Sequence, residues 1–528
     1  MKRQATLRRT AVLGLAITAA LPLAACANNG SGSSGGGSSS AQSGTASSTI
    51  TMSLSSAPVS LDPSTSAVGL YNNYIVPAYA SLLDESSSGQ IIAGLADKWG
   101  YVGSNNETFQ LTLRNGLKWA DGTPITAADV VASLKYFAKG SGPSSPYLKG
   151  MTFTAQGAYT VVIKSPAPDP VIPSLLTPGN LAGAIISPAG LKHPASLANS
   201  TDGAGEYVYD SAQSVPNDHY VYTPDKYYYD QSAIHYKSIT IKVIPDYNSA
   251  LEALKSGQID FMPGNLDVAS AVEGSSSVKV LSAPTIWSGI YLLDRDGVLV
   301  PALKDQRVRQ ALNYAIDRPA ITSAIYGKYG TPLSQPAVPG TDGYSSSAES
   351  VYSYDPAKAK QLLAQAGDSK GLTIPINYPS FDPDSTKLVQ AVQSELAQVG
   401  VNLQLKADSN FGGWVNDLVS KKFAATILTP GAGGSEFFLA SSTFMPGGIM
   451  NIFGAADPQL SAAFSALSAA SQAQESTAAQ KVTDIAVQDA LALPVSASST
   501  IALFTPSLHG VQFIPGGYLT PVTAWTSA

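Results

Sequence analysis

An α/β chain folded into two or more lobes is what this sequence predicts, and three observations carry that reading. The chain has 528 residues, more than one hydrophobic core usually serves. Apolar residues make up 44% of it, enough to build cores on that scale. Segments that alternate with period two are followed by segments with apolar residues at helical spacing, the pattern of mixed strands and helices.

Composition and charge narrow the function class. Charged residues are 13% of the chain, about half the usual share. Small polar residues and tyrosines take their place, a surface suited to an exported protein. Four of the 31 basic residues (Lys2, Arg3, Arg8, Arg9) precede Cys26 and none of the 37 acids does. The part from Cys26 onward therefore holds 27 bases against 37 acids, a formal net of -10. Nucleic-acid binding needs a basic patch, which the sequence lacks, so no nucleic-acid partner is expected. Pairs such as Lys421-Lys422 read as solvated surface. Cys26 is the single cysteine, which excludes an intrachain disulfide and any cysteine-built metal or redox site.

The N-terminus reads as an address and an anchor. Residues 1–9 are basic, residues 11–25 (AVLGLAITAALPLAA) are apolar, and Cys26 follows. This is the layout of a signal peptide over 1–25. Fifteen apolar residues are short against the roughly 20 of a spanning helix. Leu23-Ala24-Ala25-Cys26 resembles the lipobox of bacterial lipoproteins, in which small residues fit the peptidase and the thiol takes the lipid. An ordinary signal peptide with a chance cysteine is the alternative, and Arg8-Arg9 faintly resembles a twin-arginine signal. Residues 26–48 then form the lipidated cysteine and a Gly/Ser tether, with a mean reach of roughly 25 Å. Gly30-Gly32-Gly35 and Gly32-Ser34-Gly36 spell dinucleotide and hydrolase motifs by chance, since neither joins a strand to a helix.

The folded part opens near Ile50. "TITMSLSSAPVSLDP" predicts a strand ending in the Asp62-Pro63 turn, and Tyr71 to Leu83 predicts a helix. Phe109, Leu111 and Leu113 alternate as a strand. Asn115-Gly116 and Asp121-Gly122 are turns. Thr126 is an N-cap with Asp129 as its capping-box acid, and Val130, Leu134 and Phe137 recur at helical spacing. Val308, Ala311, Leu312, Ala315 and Ile316 make one helix face. Asp317 caps the next helix, with Pro319 in its first turn. Asp355-Pro356 starts a helix that buries Leu362 and Leu363 and stops at Gly367.

Four of these blocks carry a family resemblance. Leu113–Val130 (LRNGLKWADGTPITAADV), Asn199–Tyr207 (NSTDGAGEY), Lys304–Ile321 (KDQRVRQALNYAIDRPAI) and Tyr354–Gly367 (YDPAKAKQLLAQAG) are similar, in order, to blocks of the solute-binding proteins of ABC importers. That family includes the oligopeptide-, dipeptide- and nickel-binding receptors. The resemblance covers residues 50–528 and implies an α/β, two-lobed periplasmic-binding-protein-like fold with an extra subdomain inserted in lobe one. It implies lobe one over 49–283 (inserted subdomain 90–200), lobe two over 284–496, and a return to lobe one over 497–528. The lobes would close on a small-molecule or peptide ligand for delivery to ABC importer permease subunits. A monomer attached to the membrane by its lipid is expected. Most of these blocks are scaffold, and Arg307 and Arg309 are read as surface or interlobe pairing.

The resemblance also suggests where ligand would touch. Thr285–Gly297 replaces a cleft-lining stretch, making Trp287 and Tyr291 candidates, although both could be core aromatics. Phe411–Val419 matches a segment that often carries a cleft tryptophan, here Trp414 in a loop or at a helix start. Peptide-binding members usually keep an aspartate in a D-x-x-D-P stretch before an F-L pair, where it pairs with the peptide ammonium. Aligned on Phe438-Leu439, this chain has Gly431 and Gly434 at the two acidic positions, with Glu436 two residues late. Thr429, Gly431, Gly433, Gly434 and Glu436 are therefore the candidate positions. The glycines could bring backbone N–H groups to an anionic or polyhydroxyl ligand, or form a loop that closes on binding.

No catalytic constellation emerges, so a non-enzyme is expected. His193, His219, His235 and His509 lie in loop-like or strand-edge segments without metal-ligand spacing. No cofactor or metal site is predicted, although nickel receptors hold their metal with few protein ligands. Tyr220, Tyr222 and Tyr227–Tyr229 read as a stacked sheet face rather than a binding box. A lipid-anchored hydrolase, or a signalling or adhesion lipoprotein on the same fold, are the competing classes.

Overall fold

The computed structural model describes residues 48–427, 434–515 and 517–527. Cys26 and its tether, and the candidate positions Thr429, Gly431 and Gly433, lie outside the described residues.

One hydrogen-bonded path of strands runs through the molecule. In order it contains Val401–Asp408, Leu372–Pro379, Ala425–Ile427, Lys279–Leu292, Ala492–Phe504, Phe261–Gly264, Ser48–Leu54, Tyr236–Val243, His219–Pro224 and Tyr207–Tyr209. Gly330–Pro332 pairs off this path with Ala492–Phe504. Lys279–Leu292 and Ala492–Phe504, of 14 and 13 residues, are the long members and pair antiparallel. At one end they sit beside Phe261–Gly264, at the other beside Ala425–Ile427. They therefore run from one apolar core into another. Lobe one packs Ile50, Met52, Ile239, Ile241, Tyr222 and Trp525. Lobe two packs Ile290, Leu312, Ile374, Ile376, Val389 and Val401.

Where the strands pass between the cores, their ladder breaks twice. Pro284 pairs with Ser499 and Ile286 with Ser498, leaving Thr285 extra on one strand. Ser288 pairs with Ser496 and Gly289 with Pro494, leaving Val495 extra on the other. Such bulges bend a strand and leave backbone groups to be satisfied elsewhere. The Arg318 guanidinium donates to the Pro494 carbonyl at 2.8 Å, and the Leu333 N–H donates to Val495 O at 3.1 Å. Arg318 belongs to the "AIDR" block, and burial lowers its pKa to about 10. A Cβ on Gly289 would lie 2.2 Å from the Leu493 carbonyl oxygen, so the joint admits no side chain there.

A separate four-stranded antiparallel sheet, Ala96–Tyr101, Thr108–Leu113, Thr160–Lys164 and Thr152–Gln156, lies within the stretch expected as an inserted subdomain, backed by the helix Ala127–Phe137. Thr126 and Asp129 form the expected capping box, and Val130, Leu134 and Phe137 are buried. The helices Gln306–Tyr314, Arg318–Tyr326 and Pro356–Ala366 start at Asp305, Asp317 and Asp355, and Gly367 ends the last at φ 93°. Leu363 is buried there, while Leu362 is half-buried. The helix expected over 71–83 is instead a 3-10 turn, Gly69–Tyr74, followed by turns and the strand Leu83–Glu85. Pro77 stands in the middle of that segment, where a helix would need its missing N–H. Tyr220 and Tyr222 enter the lobe-one core against Tyr74, whose ring lies 5.0 Å from that of Tyr220. The C-terminal strip returns to lobe one, where Trp525 packs 4.6 Å from Phe261 and the Val522 N–H donates to Asn73 Oδ1.

Candidate functional site

The stretch of the long strands between the two cores is where hydroxyls collect. Ser496-Ala497-Ser498-Ser499-Thr500 interrupts an otherwise apolar strand, and Ser498, Ser499 and Thr500 are half-buried. Ala497 joins an apolar cluster of lobe two, whereas Ser498, Ser499 and Thr500 belong to none of the apolar clusters. The Thr500 and Thr285 hydroxyls lie 2.5 Å apart. Ser288 and Tyr326 are buried beside the same stretch, and burial pushes the Tyr326 phenol up to about 12. Gly517, at φ +87°, sits so close that a Cβ on it would lie 2.5 Å from Thr285 Cβ. A glycine is required there on both counts. This brings the loop 513–519 against the bulge.

Three contacts bridge the lobes around this joint. The Asn106 side-chain amide donates to Ser468 O at 3.1 Å and Ala470 O at 2.8 Å. The Tyr147 ring meets the Phe438 ring edge-on at 4.6 Å. The Lys328 ammonium pairs with Glu273 at 2.5 Å. Phe438 belongs to the F-L pair on which the family alignment rests, so that pair contributes a lobe contact. Sequence reading singled out none of Asn106, Tyr147, Thr285 or Thr500. The polar SASST run inside an apolar strand was the available signal.

Trp287, Tyr291 and Trp414 come together, but inside lobe two. All three are at most 2% exposed and share an apolar cluster with Leu333, Val338 and Phe444. The Trp287 and Tyr291 rings are 4.3 Å apart, and neither the indole N–H nor the phenol has a hydrogen-bond partner among the described residues. Trp414 lies in the first turn of the helix Phe411–Val419, whose N-cap Asn410 accepts from the Gly413 N–H. Its indole donates to Thr426 Oγ1 at 3.1 Å, and that hydroxyl donates to Asn377 O. Asn377 in turn donates to the Trp414 carbonyl and to Asp408. Asp408 is paired with Lys406.

Gly434, at φ +73°, precedes Ser435, the N-cap of the helix Glu436–Thr443. Glu436 is 2% exposed. Its backbone N–H donates to Asp342 Oδ1 at 2.8 Å, and a Cβ on Gly343 would fall 2.4 Å from its Oε2. Burial, reinforced by Asp342, holds the Glu436 carboxyl well above the usual range. Burial also raises Asp342 to about 6 and Glu475 to about 7. Glu436 is thus a buried acid packed on Gly343, in surroundings that favour its protonated form. Among the described residues no group of three or more His, Cys, Asp and Glu is placed to hold a metal ion. No described helix is long and apolar enough to cross a membrane.

Comparison with known proteins agrees with this architecture. The sequence pattern of the bacterial extracellular solute-binding proteins, family 5 (middle region), matches residues 90–445. A probable peptide ABC transporter periplasmic-binding protein of Sinorhizobium fredii is 27% identical over 391 residues, covering 70% of this chain and 71% of that protein. A probable D,D-dipeptide-binding periplasmic protein of Escherichia coli is 27% identical over 375 residues, covering 67% and 69% respectively. The structure of HbpA2 from Haemophilus parasuis superposes with a TM-score of 0.79 at 20% identity, covering 91% of this chain and 100% of that one. With two lobes on a bulged pair of strands and this pattern over most of its folded part, the chain belongs to the bacterial extracellular solute-binding proteins of family 5.

Proposed function

We propose that this chain holds a neutral polar or peptide-like solute between its lobes, against the hydroxyl-lined stretch of the long strands. As a member of family 5 it captures a solute outside the cytoplasm and delivers it to an ABC importer. The observation that carries the solute class is the run Ser496–Thr500 facing Thr285 and Ser288 between the two cores. Hydroxyls donate and accept, and so suit a solute with both kinds of group. Glu436 supports the same reading: a buried carboxyl whose surroundings disfavour its charged form is a poor partner for a free ammonium. Trp287, Tyr291 and Trp414 then shape the lobe-two wall from behind. The glycines at 431, 433 and 434, with Thr429, would meet the solute by backbone. The lobes divide near 284 and 497, inside the bulged stretch, and move about it as a hinge. The chain is a monomeric receptor without turnover of its own, held to the membrane by lipid on Cys26. Mass spectrometry of solutes released from the purified protein tests the solute class. A neutral or zwitterionic polar compound without a free-amine peptide terminus is expected. Ordinary di- to pentapeptides would overturn it.

A further inference from the structure

Beyond the lobe-two end of the long strands lies a groove of about 230 Å³, away from the hinge. Three bases line it, Arg295, Lys304 and Arg309, together with Phe444 and the acids Asp296 and Asp457. Arg295 and Arg309 are each 7% exposed. Arginine is rarely buried this far without an acid to neutralise it. Here neither guanidinium has a carboxylate within ion-pair distance among the described residues, although Asp489, Asp305 and Asp457 act on Arg309, and Asp296 on Arg295, at longer range. Arg295 donates to the carbonyls of Leu292, Thr443 and Phe444, at 3.2, 3.4 and 3.3 Å. Arg309 donates to the carbonyls of Asp489, Leu303 and Lys304.

Carbonyl dipoles satisfy hydrogen bonds but cancel no charge. Each guanidinium has five N–H groups, so Arg295 keeps two unassigned and Arg309 one. Both arginines line the one groove; burial lowers the Arg295 pKa to about 10, the like charge of Arg309 adds to it, and Asp296 offsets part of it. Of the two acids, Asp457 caps the helix Pro458–Ser468 through Leu460 N–H at 2.8 Å, and Asp296 is exposed. In a chain whose part from Cys26 onward is strongly acidic, a pocket with surplus positive charge stands out. Its volume equals several waters at about 30 Å³ each, room for a small oxyanion.

We propose that this groove is a second ligand site, taking a phosphate or carboxylate group between Arg295, Arg309 and Lys304. Forked guanidinium donors match the paired oxygens of such groups, and Lys304 adds a point charge at the mouth. The site is independent of the interlobe solute. It places an anion against the turn Pro301–Lys304 and the helix Gln306–Tyr314, elements that also carry the lobe-two core.

Titration of the full chain with sodium phosphate and with sodium acetate, each against sodium chloride at fixed ionic strength, tests it by calorimetry. Saturable binding of at least one oxyanion above the chloride baseline is expected. Lys304→Glu, an exposed change that spares the fold, weakens it by about tenfold or more. Arg309→Lys weakens it as well, while Lys237→Glu on lobe one leaves it unchanged. Binding of phosphate alone marks an inorganic or phosphorylated ligand, and binding of acetate too marks a carboxylate. No saturable binding over chloride, or equal losses in Lys304→Glu and Lys237→Glu, overturns the site.

Discussion

The hydroxyls of Thr285 and Thr500 meet at 2.5 Å across the two long strands, at the bulge where the chain leaves one lobe for the other. Thr285 is the extra residue of that bulge. Its hydroxyl contact lies beside the broken backbone ladder. Thr285→Val and Thr500→Val should each cost about 1 kcal/mol of folding stability. The double variant should cost less than the sum, since the second change removes a group already unpaired. Urea unfolding of the four proteins measures the coupling, and strict additivity would mean the hydroxyls do not interact.

Trp414 is pinned at both ends, by its indole on Thr426 and by its carbonyl from Asn377. Trp414→Phe should cost about 1 kcal/mol for the lost hydrogen bond. Trp414→Ala should cost about 3–5 kcal/mol for the cavity left in lobe two. Chemical denaturation distinguishes the core from a solvent-lined wall: a loss under about 1 kcal/mol for Trp414→Ala would place the ring on the wall.

The pH dependence of stability follows from carboxyls that burial raises. Glu85, Glu206 and Glu475 reach about 7 and Asp169 and Asp342 about 6, from ordinary values of 4.5 and 3.8, and burial raises Glu436 too. The folded state therefore binds more protons than the unfolded chain between those limits. The stability these groups lend is full below about pH 4 and lost as pH rises through 6–7 and beyond. Glu436→Gln removes one titration at nearly constant shape. The variant should be more stable than the parent at pH 8 and no more stable at pH 5, read from urea midpoints. An unchanged difference across that range would rule out Glu436 as a contributor.

Asn106 holds φ 53°, a left-handed conformation, while its amide clasps the carbonyls of Ser468 and Ala470. Asn106→Gly keeps the backbone conformation and removes the clasp. Solute-free Asn106→Gly should populate wider lobe separations, seen as a larger radius of gyration in X-ray scattering, with little change in unfolding midpoint. An identical scattering profile would show that the clasp does not govern the lobes.

Cys26→Ala should leave the protein unprocessed or release it from the membrane. Fractionation with mass analysis of the N-terminus reads the result. A correctly cleaved variant that stayed membrane-bound would dismiss lipid attachment at this residue.

Sequence pattern made the scaffold legible wherever one local interaction decides an element. Thr126 with Asp129, Asp317 with Pro319, and Asp355 with Gly367 each place a helix end by capping chemistry alone. Tyr71–Leu83 misled because its apolar spacing looks helical while Pro77 withholds an N–H that a helix needs. Trp287, Tyr291 and Trp414 were read as candidates for the cleft or the core and pack inside lobe two, since periodicity does not tell a core-facing ring from one facing a gap. Arg309 was read as a surface or interlobe residue; it is buried within lobe two, on carbonyls contributed by distant segments. Such a setting depends on tertiary neighbours such as Asp489, far along the chain.

Pro284 pairs with Ser499 and Gly289 with Pro494, so each strand crosses the joint in five steps. The extra residue on one strand and the extra residue on the other cancel. Both lobes thus stay in phase, as though an unbroken ladder joined them. As the proposed hinge, this joint is a matched pair of insertions rather than a length of slack chain. The angle available to such a hinge would be set by how far two paired strands can bend without losing step.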